Sequence, residues 1–171
     1  MRPSLPIVIA LAAANLLSAA ANAQNSTDPP QGQRAVLIAL GKGSQIYTCQ
    51  LTNGTPQWIF KQPEAILYSA DSAEVGTHGA GPLWTSKDGS SVKGEVITKA
   101  ASPEAGAIPW LLLKAASTEG TGILTKVEFI RRSDTHGGIA STTGCDAQHL
   151  NAVSRIPYSA TYTFYSASPE E

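Results

Sequence analysis

Hydrophobic and polar residues alternate along most of the chain, with the period of two that is typical of half-buried β-strands. The pattern is clearest at residues 92–99, where Val, Gly and Thr alternate with Lys and Glu, and at residues 158–164, where Tyr, Ala and Phe alternate with Ser and Thr. Similar patterns predict strands at residues 34–40, 44–52, 57–61, 65–69, 108–115 and 121–132. The chain is therefore predicted to consist mostly of strands.

Two dipeptides predict tight turns between these strands. Asn53-Gly54 lies between Leu51 and Trp58, and Asp88-Gly89 repeats the same chemistry. Asn-Gly and Asp-Gly favour hairpins because both central residues of a type I′ turn need a positive φ. Residues 105–116 come closest to a helical pattern, but Pro109 in their middle disfavours a helix.

The number and spacing of the strands predict an all-β fold. About eight strands with Gly and Pro in their connections indicate an antiparallel β-barrel or β-sandwich, and the local patterns leave both open. A length of 171 residues, with 42% hydrophobic and 15% charged residues, fits one compact domain and excludes a disordered or fibrous chain.

The N-terminal residues have the three parts of a secretory signal peptide. Arg2 supplies the positive charge, residues 7–17 form the apolar run, and Ala21-Asn22-Ala23 supplies small residues for cleavage. The run of about 11 residues is shorter than the roughly 20 of a membrane helix, and an uncleaved anchor is the alternative. We predict a signal peptide at 1–23, a flexible N-terminus at 24–33, a single β domain at 34–165 and a flexible C-terminus at 166–171.

Export makes Cys49 and Cys145 a predicted disulfide. They are the only cysteines in the chain, and an oxidising compartment favours their pairing. The predicted location is extracellular or periplasmic. Asn25 and Asn53 begin Asn-x-Thr/Ser sequons, which are glycosylated only in organisms with that machinery.

The charge balance excludes an electrostatic attraction to polyanions. Lys and Arg number 12 and Asp and Glu number 13, for a net charge of -1. Such a chain lacks the positive charge that drives nucleic-acid or anionic-membrane binding, so we predict neither partner after signal cleavage. We predict no cofactor, and a glycan or a small apolar ligand as the partner. The oligomeric state stays open.

Several sequence blocks resemble a known family. The longest is Val75-Gly76-Thr77-His78-Gly79-Ala80-Gly81-Pro82-Leu83-Trp84. Further blocks precede and follow it in order along residues 35–165, from Tyr47-Thr48-Cys49-Gln50 to Pro157-Tyr158-Ser159-Ala160. Together these blocks resemble the secreted domain of unknown function 3455 family, and this resemblance implies export and a small fold but no activity. Some relatives carry the label malate dehydrogenase. This chain lacks a Gly-x-Gly-x-x-Gly turn between strand and helix, so we do not expect an NAD-dependent dehydrogenase.

The segment from Gly76 to Trp84 is the best candidate for a site. Its glycines allow the backbone to approach a ligand, while His78 offers an imidazole and Trp84 an apolar plate. The alternative is a structural loop in which His78 bonds to backbone. The predicted binding residues are His78, Gly79, Gly81, Trp84 and Asp88.

Other candidate chemistry is weaker. Trp58, Trp84 and Trp110 form either a sugar-stacking face or parts of the core. Asp134 and His136 are too few for a metal site, and no nucleophile motif is present. We therefore expect a binding or cell-surface module for a small molecule or glycan. The alternative is a small extracellular enzyme, a hydrolase or metal-dependent, that uses His78 with a nearby carboxylate.

Overall fold

The computed structural model describes residues 27–169, which form a single antiparallel sheet. The predicted signal peptide, residues 1–23, lies outside the described residues. Among residues 27–169 there is no helix long and apolar enough to cross a membrane. The strands are β1 (Gln33–Thr52), β2 (Thr55–Tyr68), β3 (Glu74–Gly79), β4 (Leu83–Ser86), β5 (Ser91–Ala100), β6 (Trp110–Glu119), β7 (Phe129–Gly137) and β8 (Val153–Ala167).

The sheet closes on itself as an eight-stranded barrel. Each strand pairs antiparallel with the next along the chain, and β8 returns to pair with β1. This confirms the all-β prediction and selects the barrel over the sandwich. Pairing of β1 with β8 begins at Gln33 and Ala167, so the strands start one residue before and end two residues after the predicted β domain at 34–165.

The first predicted hairpin turn is confirmed. Asn53 and Gly54 have φ values of 49° and 79° between β1 and β2, as a type I′ turn requires. Asp88-Gly89 also forms a turn, between β4 and β5, but only Gly89 has a positive φ there.

The disulfide is confirmed as well. Cys49 and Cys145 are bonded, with their Cα atoms 5.3 Å apart. The bond joins β1 to the connection between β7 and β8. Backbone hydrogen bonds between Cys49 and residues 151 and 152 attach the same connection to the strand.

Two predictions about secondary structure are wrong. The segment interpreted as a loop from Gly76 to Trp84 contains the last four residues of β3 and the first two of β4, joined by a short turn. The segment predicted as a strand at 121–132 is a strand only from Phe129 onward. Gly122 explains part of the second difference: its φ is 155°, and a Cβ there would lie 2.2 Å from the Asp88 carboxyl carbon.

Residues 120–128, here called the plug, close one end of the barrel. Leu124 and Val127 belong to the hydrophobic core cluster, and Leu124 has no exposed surface. The turn between β4 and β5 holds the plug: the Leu124 N–H donates to Ser90 Oγ at 3.1 Å, and the Ile123 N–H donates to Asp88 Oδ2 at 2.7 Å. The connections β1–β2, β3–β4, β5–β6 and β7–β8 lie at the opposite end, here called the open end.

The plug should contribute to stability through one side chain more than its neighbour. Leu124→Ala should lower the free energy of unfolding by about 3 kcal/mol, because it removes a fully buried side chain from the core. Ile123→Ala is the matched control: its side chain is 41% exposed, and the loss should be about 0.5 kcal/mol or less. Urea unfolding of both variants measures this. Equal losses would show that the plug does not pack as described.

Candidate functional site

A cavity of about 540 Å³ occupies the open end of the barrel. Ligand sites in proteins have volumes of roughly 300–1,000 Å³, so the cavity is large enough for a small organic molecule. Most of its wall is apolar or aromatic. The aromatic rings come from five residues, namely Tyr47, Phe60, His78, Trp84 and Tyr162.

Sheet register brings His78 and Trp84 together. They lie directly opposite each other on β3 and β4, and both side chains are buried. Their rings are stacked, with centroids 4.3 Å apart and planes 5° from parallel. Tyr162 on β8, across the interior, contacts both rings edge-on, at centroid distances of 5.0 and 5.6 Å. The three rings thus form a packed aromatic wall at the base of the cavity.

His78 is a neutral, buried side chain. Its Nδ1 lies 2.9 Å from the Leu83 carbonyl oxygen. A carbonyl oxygen only accepts hydrogen bonds, so Nδ1 carries the proton and donates it, and Nε2 is the unprotonated nitrogen. Burial lowers the pKa of His78 to about 4; the hydrogen bond to Leu83 opposes the shift, and the positive charge of Arg132 adds to it. The imidazole therefore carries no charge at neutral pH.

Arg132 also lines the cavity, although it was not among the predicted binding residues. On β7 it lies opposite Leu111 on one side and Tyr162 on the other. Its Nε and Nη2 both donate to the Pro109 carbonyl oxygen, at 3.0 and 2.8 Å. Two-residue periodicity was the available signal, because Arg132 lies on the same face of β7 as the fully buried Ile130.

A group of polar side chains lies beside this guanidinium. The hydroxyls of Tyr158 and Tyr162 are 3.2 Å apart. Burial raises the pKa of both tyrosines, and the charge of Arg132 lowers it by a smaller amount. Gln45 on β1 is also buried, and its side chain interacts with that of Tyr158 and lowers the pKa of the tyrosine.

The predicted binding residues divide between the two ends of the barrel. His78, Gly81 and Trp84 line the cavity. Gly79 follows His78 on β3 and borders a shallower recess on the outer surface. Asp88 lies at the plugged end, where hydrogen bonds from the Ser90 hydroxyl, the Ile123 N–H and the Ser90 N–H hold its pKa well below the usual range. Asp88 therefore holds the plug and does not meet the cavity.

The three tryptophans do not share one face. Trp84 is 1% exposed inside the barrel. Trp58 donates from Nε1 to the Thr143 carbonyl oxygen at 3.0 Å, beside the disulfide-linked connection. Trp110 packs under the Arg131 guanidinium, 5.3 Å from the ring centroid. A sugar-stacking platform built from all three is therefore not assembled.

The lining of the cavity contains no Asp or Glu among the described residues. The other histidines are exposed and paired elsewhere: His136 with Glu104, and His149 with Asp146 at 2.7 Å. Residues 27–169 contain no group of three His, Cys, Asp or Glu side chains arranged to hold a metal ion. The enzyme alternative depends on a carboxylate beside His78, and this lining supplies none.

A second recess lies outside the barrel near the plug. It is larger, at about 940 Å³, but more open, and it is bounded by β6, the plug and the end of β8. Its lining has no tryptophan, tyrosine or histidine. The aromatic rings and the buried polar groups converge only on the open-end cavity among the recesses described here.

The chain belongs to a family described as protein of unknown function (DUF3455), whose sequence model matches residues 29–166. This confirms the resemblance found in the sequence blocks. No curated protein and no solved structure matches the chain. The protein is thus a β-barrel member of a family whose function is not established.

Burial of His78 predicts a stability that falls in mild acid. The sign follows from the lowered pKa. Between about pH 6.5 and pH 4, His78 is protonated in the unfolded chain but stays neutral in the folded chain. The free energy of unfolding should therefore decrease by about 3 kcal/mol from this residue as the pH falls through that window. His78→Gln should be less stable at neutral pH by about 1–3 kcal/mol but should lose this pH dependence. Urea unfolding at several pH values tests this, and equal slopes for both proteins would contradict it.

Proposed function

We propose that this protein is exported and binds a small, mostly apolar molecule in the open end of its barrel. The observation that carries the proposal is the cavity of about 540 Å³, whose wall is largely aromatic and aliphatic. Closed eight-stranded barrels elsewhere hold either packed side chains or one small ligand. Here the plug fills one end, and the other keeps a ligand-sized space.

The arrangement supports binding through a rigid, preformed site. His78, Trp84 and Tyr162 pack against one another from three strands, so the base of the cavity does not depend on a mobile loop. Several rim positions are also apolar, including Phe60 at 48% exposure and Val96 at 49%. A small apolar ligand fits this lining better than a glycan, because no exposed tryptophan plate faces the cavity.

Export is supported by two features. Arg2, the apolar run at residues 7–17 and Ala21-Asn22-Ala23 are the three parts typical of a secretory signal peptide. The Cys49–Cys145 disulfide is of the kind that persists in oxidising compartments.

Binding is measured with N-phenyl-1-naphthylamine, a neutral dye that fluoresces in apolar surroundings. We expect saturable binding at one site with energy transfer from tryptophan, because Trp84 forms part of the cavity wall. Val96→Trp should weaken binding about tenfold, since the indole occupies part of the mouth. Ile97→Trp is the matched control: Ile97 is the next residue of β5, is similarly exposed at 51%, and does not line the cavity.

Two results would contradict the proposed function. The first is the absence of saturable dye binding to the folded protein. The second is an equal effect of the Val96 and Ile97 substitutions, which would place the dye outside the open end. Melting temperatures of the two variants should stay close to that of the unmodified protein, because both side chains are about half exposed.

A further inference from the structure

The open-end cavity carries positive charge without any acidic counterpart. Lys61, Lys99 and Arg132 line it, and no Asp or Glu does. None of the three cations forms a salt bridge with a carboxylate in residues 27–169. This concentration is local, because the whole chain has a net charge of -1.

We propose that the ligand is a small organic acid, with one carboxylate on an apolar body, and that Arg132 holds the carboxylate. This inference rests on the proposed binding function and adds the chemical class of the ligand. It also assigns separate parts of the cavity to the two parts of the molecule. The aromatic and aliphatic wall takes the apolar body, and the guanidinium takes the charge.

Arg132 is held in place as an anion receptor. The Pro109 carbonyl oxygen accepts hydrogen bonds from Nε and Nη2, which fixes the plane of the guanidinium on the cavity wall. A guanidinium has five N–H donors, so this attachment leaves donors for a ligand. Arginine binds a carboxylate through short, charge-assisted hydrogen bonds, often two in parallel.

The neighbouring polar groups are mostly donors. Trp84 lines the cavity, is more than nine-tenths buried, and has an indole N–H, at Nε1, without a partner among the described residues. An unpaired buried donor is costly, so such groups are usually satisfied in proteins by a protein atom, a water or a ligand. An ionised carboxylate has hydrogen-bond acceptors and no donor, which matches this excess of donors in the cavity.

His78 does not compete with Arg132 for the negatively charged carboxylate of the ligand. It is neutral and turned by its Nδ1 bond to the Leu83 carbonyl oxygen. Arg132 is a positive centre beside the packed aromatic rings, because it lies directly opposite Tyr162 on β8. Lys61 and Lys99 are exposed at the mouth, where their charges attract an incoming anion and raise its local concentration.

Arg131 and Arg132 are adjacent on β7, but their charges lie in different surroundings. Arg131 points to the opposite face of β7, where it pairs with Asp28 at 3.3 Å and covers the ring of Trp110. Two adjacent arginines on one strand thus have opposite circumstances, one compensated on the outside and one uncompensated inside. This pair provides the control for the experiment.

The test is displacement of N-phenyl-1-naphthylamine by two ligands that differ only in the head group, octanoate and octan-1-ol, at neutral pH. Octanoate should displace the dye at a concentration at least about tenfold lower, because it adds charge-assisted hydrogen bonds to the same apolar contact. Inorganic phosphate is the third arm. It should not displace the dye, since it has charge but no apolar body.

Three variants locate the effect. Arg132→Gln should remove the advantage of octanoate over octan-1-ol, and Arg131→Gln should keep the full advantage. If Arg132→Gln fails to fold, the double variant Lys61→Gln with Lys99→Gln serves instead. Both lysines are exposed, and their loss should reduce the advantage several-fold and flatten its dependence on salt.

The outcomes separate this inference from the proposed function. Failure of the dye to bind overturns both. Dye binding with equal displacement by octanoate and octan-1-ol leaves the binding function standing and overturns the assignment of an acid. Displacement by phosphate alone would point to an anion site without an apolar part. An equal loss in the Arg131 and Arg132 variants would remove Arg132 as the receptor.

Discussion

Closure of eight strands into a barrel creates an interior with two ends. Whether side chains fill each end decides where the core lies and where a ligand could enter. An eight-stranded barrel is just wide enough for side chains to fill it or for one small ligand to enter. Here the plug inserts Leu124 and Val127 at one end, held by Asp88 and Ser90. The other end is left with aromatic walls and a cavity. The protein thus resembles a cup whose floor is its own hydrophobic core.

The floor of the cavity and the core are the same side chains, which links binding to stability. Trp84 and Tyr162 are both almost completely buried, yet they line the cavity. Glycines make room for these rings within the strands: a Cβ at Gly41 would lie 2.6 Å from a ring carbon of Tyr162, and one at Gly94 would lie 3.1 Å from the ring of Trp84. A substitution that opens the cavity at its base would therefore also loosen the core.

The sequence predicted what local patterns control. Period-two alternation indicated most strands, Asn53-Gly54 indicated a hairpin, and the two cysteines together with the predicted export indicated the disulfide. The choice of barrel over sandwich depends on the pairing of β1 with β8, which joins the two ends of the domain and leaves no local mark.

The Gly76–Trp84 segment was chosen for its unusual residues, and His78 and Trp84 do line the cavity. Arg132 was not among the predicted binding residues, because only the register of β7 shows that it faces the interior while Arg131 faces outward. Asp88 was among them, and its distance from the cavity follows from the direction of the hairpin.

A crystal structure with 8-bromooctanoate would show where such an acid binds, because anomalous scattering from bromine locates the ligand without interpretation of its shape. We expect one strong bromine peak inside the open end of the barrel, with the carboxylate within hydrogen-bond distance of the Arg132 guanidinium. Bromine peaks confined to the outer surface, such as the groove beside Ile38, Leu40 and Tyr68, would contradict this expectation.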